Sequence, residues 1–123
     1  MFYRCAHCGK IVSVVVNGGG TLTCCGDEMQ LLKANTTDAA KEKHVPAVTV
    51  EGNKVVVNVG SVDHPMTQEH YIQFIMIETN LGKQYKGLTP EDKPHAEFVL
   101  QEGEKLVAAY EYCNLHGLWN AEV

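Results

Sequence analysis

The chain has 123 residues and a mass of 13.6 kDa, enough for one ordinary domain or for a small module joined to one of about 90 residues. A formal net charge of −5 excludes the basic surface that nucleic-acid binding needs. No apolar run approaches the roughly 18 residues of a spanning helix, and Cys5 arrives before a signal peptide's apolar segment could form, so the protein is expected to be cytoplasmic with no membrane span.

From Met1 to about Leu32 short apolar runs alternate with glycine: residues 11–16, then Asn17-Gly18-Gly19-Gly20, then 21–23. Asn-Gly between β-branched runs predicts a hairpin turn. A module of about 35 residues cannot bury enough surface to stand alone and needs a staple. Four of the five cysteines lie here, as Cys5-Ala6-His7-Cys8 and Cys24-Cys25. In a reducing cytosol, clustered thiols read better as metal ligands than as disulfides. Cys-x-x-Cys-Gly is a metal knuckle in which Gly9 permits the tight turn. The adjacent pair Cys24-Cys25 departs from the usual second knuckle and should distort the tetrahedron. Four thiolates suit iron or zinc, and the spacing does not separate the two.

Residues 35–41 turn polar and mark the boundary between a module at 1–36 and a domain at 37–123. Glu42-Lys43-His44 then runs into Val45-Pro46. Pro46 biases Val45 toward extended backbone, so this segment is expected to be a loop entering a strand rather than a helix. Beyond it strands are predicted at 47–50, 54–59, 71–77, 84–88, 96–100 and 106–112, with Gly- or Pro-bearing turns between them. Short strands at near-regular spacing predict an immunoglobulin-like β-sandwich, so the whole chain reads as all-β.

The histidines cluster. His64 and His70 are six apart with Pro65 between them, a spacing that suits a loop wrapping an ion rather than one helix face. Cys113 and His116 lie three apart in a turn after the last predicted strand, and His44 is available to complete a ring of imidazoles. A soft thiolate among several imidazoles suits a redox-active ion such as iron or copper, not Mg²⁺ or Ca²⁺. His7 lies inside the four-cysteine knuckle, where four thiolates already complete a site, and His95, after Pro94, has no motif around it, so both read as structural. Met66 is a weaker sulfur donor than Cys113, and Trp119, Phe74, Tyr71 and Tyr110 read as core or rim aromatics.

Glu42-Lys43-His44-Val45-Pro46, His64-Pro65-Met66 with His70-Tyr71-Ile72, and Cys113-Asn114-Leu115-His116-Gly117 resemble the signature segments of superoxide reductases. The N-terminal Cys-x-x-Cys and Cys-Cys pairs resemble desulforedoxin, a rubredoxin-like metal knuckle, so that the whole chain resembles the two-iron superoxide reductases, the desulfoferrodoxins. The resemblance implies an iron held by four imidazoles, His44, His64, His70 and His116, with Cys113 as axial thiolate. It implies a second iron at Cys5, Cys8, Cys24 and Cys25, a homodimer, and rubredoxin as electron donor. It also implies reduction of superoxide to hydrogen peroxide in superoxide detoxification. Lys43 would steer the anion to an open sixth position, and Glu42 would be the carboxylate that closes onto the ferric ion. The alternative is a non-catalytic iron electron-transfer protein.

Overall fold

In the computed structural model, which describes residues 1–123, the β-branched runs become strands and the chain parts into two units, Met1–Lys33 and Ala34–Val123. The first holds β1 (Phe2–Arg4), β2 (Ile11–Ser13), β3 (Thr23–Cys24), β4 (Asp27–Glu28) and β5 (Gln30–Leu31). β1 lies between antiparallel β2 and β5, and β3 pairs with β4. Phe2, Cys5 and Met29 are its buried apolar residues. The hairpin expected across Asn17–Gly20 does not form. β2 stops at Ser13 and pairs with β1 through the Cys5–Cys8 turn. Val15 and Val16 stay 95% and 84% exposed, because so small a unit has no second layer to cover them.

The second unit holds α1 (Lys41–His44), β6 (Pro46–Glu51), β7 (Lys54–Val59), β8 (Ile72–Thr79), β9 (Gly82–Gly87), β10 (His95–Val99), β11 (Leu106–Cys113) and β12 (Gly117–Glu122). Antiparallel sheets β10-β7-β6 and β12-β11-β8-β9 form an immunoglobulin-like sandwich. Alternation along β7 sends Val55, Val57 and Val59 inward with Ala96 and Phe98 of β10, and Ile72, Ile75, Ile77, Ala109 and Cys113 meet them from the other sheet. Pro46 opens β6, a position where the missing N–H costs the ladder little.

Two expectations for this unit are corrected. Residues 41–44 form one helical turn rather than a loop, closed by a bond from the Val45 N–H to the Lys41 carbonyl at 2.9 Å and reinforced by the His44 ring, whose Nδ1–H donates to the Ala40 carbonyl at 2.7 Å. The proline does act as its neighbour predicted: Val45 is extended (φ −68°, ψ 124°) and ends the turn. The strand at 106–112 is also not the last, since β12 folds back on β11 with Cys113 opposite Gly117. The adjacent apolar residues Leu118 and Trp119 gave no period-two signal, because both are buried.

Register shifts in the β8–β11 pairing lie between Leu106 and Ala108 and between Tyr112 and Cys113. Such irregularities re-aim the side chains that follow them. Two residues before Cys113, Glu111 is fully buried, and neither carboxylate oxygen has a hydrogen-bonding partner. Burial pushes its pKa from 4.5 up to about 9. Between those values the folded protein holds a proton that the unfolded chain has released, so stability falls as pH rises, by about 1.4 kcal/mol per pH unit. Urea unfolding between about pH 5 and pH 9 is expected to show this decline, and Glu111→Gln to remove that part of the slope.

Candidate metal centres

Five donors converge at one end of the sandwich: His44 from α1, His64 and His70 from the β7–β8 connection, Cys113 from the end of β11 and His116 from the turn into β12. Their ligating atoms all lie within 4.8 Å of one another. The ring edges are arranged around a common centre. His44 Nε2 lies 3.2 Å from His64 Nε2 and 3.1 Å from His116 Nδ1, and Cys113 Sγ lies 3.9 Å from His116 Nδ1.

The protons show what this centre requires. A carbonyl only accepts, so the bonds to Ala40 and Pro65 carbonyls at 2.7 Å each put the proton on Nδ1 of His44 and of His64. Both Nε2 atoms of the neutral rings then carry lone pairs, and they face each other with no hydrogen between them. Burial lowers the pKa of both rings, that of His64 to about 4, so protonation does not relieve the contact at neutral pH. His70 Nε2 is likewise buried with no partner. A cation resolves all of these at once. Adjacent nitrogens bound to one ion at about 2.1 Å stand about 3 Å apart, which is the spacing found.

Cys113 is fully buried, whereas His70 and His116 are half-buried, so the sulfur approaches from the protein side and the ring is reachable from solvent. Burial raises the Cys113 pKa, and the amides of Leu115 and His116 oppose that shift by donating to the sulfur. Lys43 and Glu42 sit on the exposed face of α1, and the Lys43 charge reaches both His44 and His70. Met66 takes no place among the donors: its sulfur accepts from the Ile72 amide at 3.4 Å and it packs on the core.

Support for these donors comes in part from residues to which the sequence assigned no place at the site, Trp119 having read only as a core or rim aromatic. Trp119, fully buried, stacks on His44 with ring centres 5.1 Å apart and donates from Nε1 to the His116 carbonyl at 3.0 Å. Gly60 carries the backbone of α1. The Glu42 carbonyl accepts from the Val62 amide at 2.9 Å and the Ser61 hydroxyl at 3.2 Å. A Cβ on Gly60 would stand 2.7 Å from that carbonyl oxygen and 2.9 Å from that of Val45.

In the first unit Cys5, Cys8, Cys24 and Cys25 form a second cluster, again within 4.8 Å. Cys8 and Cys24 sulfurs are 3.7 Å apart, and those of Cys24 and Cys25 3.9 Å. Tetrahedral thiolates at about 2.3 Å from one ion would be about 3.8 Å apart. The adjacent pair meets this spacing because Cys25 takes a left-handed backbone (φ 53°), which swings its sulfur to the side that Cys24 faces. Without a cation the sulfurs oppose one another's ionisation: Cys24 is pushed up to about 12, chiefly by Cys5, while amides led by that of Cys8 draw Cys5 down to about 6. All five cysteines are free thiols. His7 and His95 lie outside both clusters, His7 hydrogen-bonded to Asp27 and His95 to Asn58 at 2.7 Å.

Residues 36–122 match the family model described as desulfoferrodoxin, and residues 1–32 match that of its N-terminal domain. The desulfoferrodoxin of Syntrophotalea carbinolica is 52% identical over 121 residues, covering 98% of this chain and 94% of that protein. Among solved structures, the superoxide reductase of Treponema pallidum superposes with a TM-score of 0.83 at 37% identity over 99% of both chains. The one-iron superoxide reductase of Giardia intestinalis covers 68% of this chain and 98% of its own, at 35% identity and a TM-score of 0.59. The two donor clusters are consistent with desulfoferrodoxin iron sites.

Gly60→Ala is expected to push the α1 backbone, and with it His44, away from the other donors. Elemental analysis after dialysis against a weak chelator should show metal lost from the His/Cys cluster, with affinity down about 10-fold or more, and metal kept at the four cysteines.

Proposed function

The chain belongs to the desulfoferrodoxin family, and from that premise we propose that it is a superoxide reductase acting in superoxide detoxification in the cytoplasm. The observation that carries the reading is the pair of lone-pair nitrogens of His44 and His64 facing each other at 3.2 Å, within a ring of imidazoles backed by a buried thiol. His44, His64, His70, His116 and Cys113 would hold a mononuclear iron, and Cys5, Cys8, Cys24 and Cys25 a second iron, or zinc, with a structural and auxiliary role. Iron in the first site supplies the one electron that, with two protons, converts superoxide to hydrogen peroxide.

The residues divide the remaining work. An imidazole binds a metal through an uncharged nitrogen, so the one anionic donor would be the Cys113 thiolate, and a ferrous ion held there would keep a net charge of about +1 to attract superoxide. Lys43 extends that field outward from α1 and steers the anion. The buried Cys113 sulfur would give electron density to an iron held there, and the Leu115 and His116 amides that donate to the sulfur would moderate how much it gives. The half-buried edge formed by His70 and His116 admits water, and with it the protons that peroxide needs. Glu42, exposed on α1 beside Lys43, would offer its carboxylate to the solvent-facing side of an iron held by these donors, a role outside the binding of superoxide itself. A homodimer and rubredoxin as electron donor complete the proposal on the family's pattern. Free thiols throughout fit a reducing compartment, and no helix is long and apolar enough to cross a membrane.

Iron-loaded protein kept reduced by excess donor is expected to yield one hydrogen peroxide per superoxide consumed, with no oxygen released. His64→Ala or Cys113→Ser should abolish the yield. Consumption no faster than the spontaneous rate would instead mark an electron carrier. Lys43→Ala is expected to slow the bimolecular step about 10-fold at low salt and to flatten its dependence on ionic strength, leaving the absorption spectrum unchanged.

A further inference from the structure

The donors of the His/Cys cluster are not held alike. His44 and His64 are each tethered through Nδ1 to a backbone carbonyl, and Trp119 bonds the carbonyl of His116. The Nε2 of His70 is buried without a hydrogen-bond partner, and the ring meets those of His64 and His116 edge-on, at 4.5 and 5.1 Å between centres, contacts that bond it to no carbonyl. Its place therefore depends on its backbone. On one side Thr67 grips it: Thr67 Oγ1 accepts from the His70 N–H at 3.1 Å and the Thr67 N–H donates to the His70 carbonyl at 2.9 Å.

The other grip comes from Asn114. The ladder between β8 and β11 ends at the pair Ile72 and Cys113. One step further, the Asn114 N–H still donates to the Tyr71 carbonyl at 3.2 Å, but the Tyr71 N–H returns its bond to the Asn114 side chain. The side chain takes over: Asn114 Oδ1 accepts from the Tyr71 N–H at 2.9 Å, and Nδ2 donates to the Glu69 carbonyl at 3.0 Å. The residues on both sides of His70 are thus fastened by one amide. The chemistry selects that side chain, because Asp lacks the donor, Ala lacks both groups and Gln is a methylene longer.

We propose that Asn114 is a positioning residue for His70, fastening the segment that carries this imidazole to the residue next to Cys113 so that ring and thiolate keep one spacing. This rests on the reading of the five residues as ligands of one ion. The clamp joins two stretches 45 residues apart in sequence, Glu69 and Asn114, with bonds that touch neither donor atom.

The test is iron retention by the full-length, iron-loaded protein in competition with a chelator, together with the thiolate-to-iron absorption of its oxidised form. Asn114→Ala is expected to lower iron affinity at this site about 10- to 100-fold and to shift the absorption. Asn114→Asp, which keeps the acceptor for Tyr71, should fall between it and the parent, and carries the comparison should the alanine variant fail to fold. In a His70→Ala background the same Asn114 changes are expected to cost less than about 2-fold, since a residue that acts through His70 has nothing left to position. An unchanged affinity and spectrum in Asn114→Ala, or an equal loss with and without His70, would overturn the positioning role alone. Undiminished iron binding in His70→Ala would overturn the ligand assignment and the positioning role with it.

Discussion

Everything in the larger unit answers to one constraint: five electron-rich atoms must be held together although, with no cation among them, they repel. Neutral imidazole nitrogens at 3.2 Å and a sulfur 3.9 Å from the nearest of them form no favourable set of hydrogen bonds. The fold therefore holds them by their other atoms. Nδ1 of His44 and of His64 grips a carbonyl, Trp119 stacks on His44 and bonds the His116 backbone, and Gly60 lets the α1 backbone lie against its neighbours at a separation no side chain would allow. The cost of assembling the lone pairs is met by the packing of the sandwich, and a bound ion would recover it.

The smaller unit faces the same constraint with fewer means. Phe2, Cys5 and Met29 are a slight core for Met1–Lys33, and strands of two or three residues contribute few ladder bonds. A unit so small folds stably only when something else crosses it, and the four sulfurs are the candidate. The left-handed Cys25 is local strain of the kind a metal bond offsets. The two units thus put metal ligation to opposite uses: in one the ion would make the fold, in the other the fold makes the place for the ion.

Glu111 shows how far the sandwich accepts local cost near the donors. A carboxyl without partners, in a fully buried place two residues from Cys113, stays protonated at neutral pH, so the core beneath the thiolate remains uncharged. An ionised carboxylate there would raise the Cys113 pKa further, as its electrostatic influence on that sulfur already indicates. Charge is thereby confined to the solvent side, where Lys43 and Glu42 stand exposed.

The sequence by itself determined the strands of the larger unit from β6 to β11, the two clusters and the family resemblance. Alternating β-branched runs state their own period, and the strands 72–79, 82–87 and 95–99 fall within two residues of expectation. Cysteine and histidine are rare enough that their grouping carries information. What it did not determine were features without a local signature: the turn of helix at Lys41–His44, the failure of the glycine-rich hairpin, β12, and the supporting roles of Gly60, Trp119 and Asn114. Each depends on residues far along the chain, such as the Val62 amide on Glu42 or Asn114 on Glu69, and such pairings exist only once the sheets have closed. Residue type decided which atoms are able to bind a metal, whereas the tertiary structure alone decided which of them meet, because a shared centre is a property of distance in space and not of spacing along the chain.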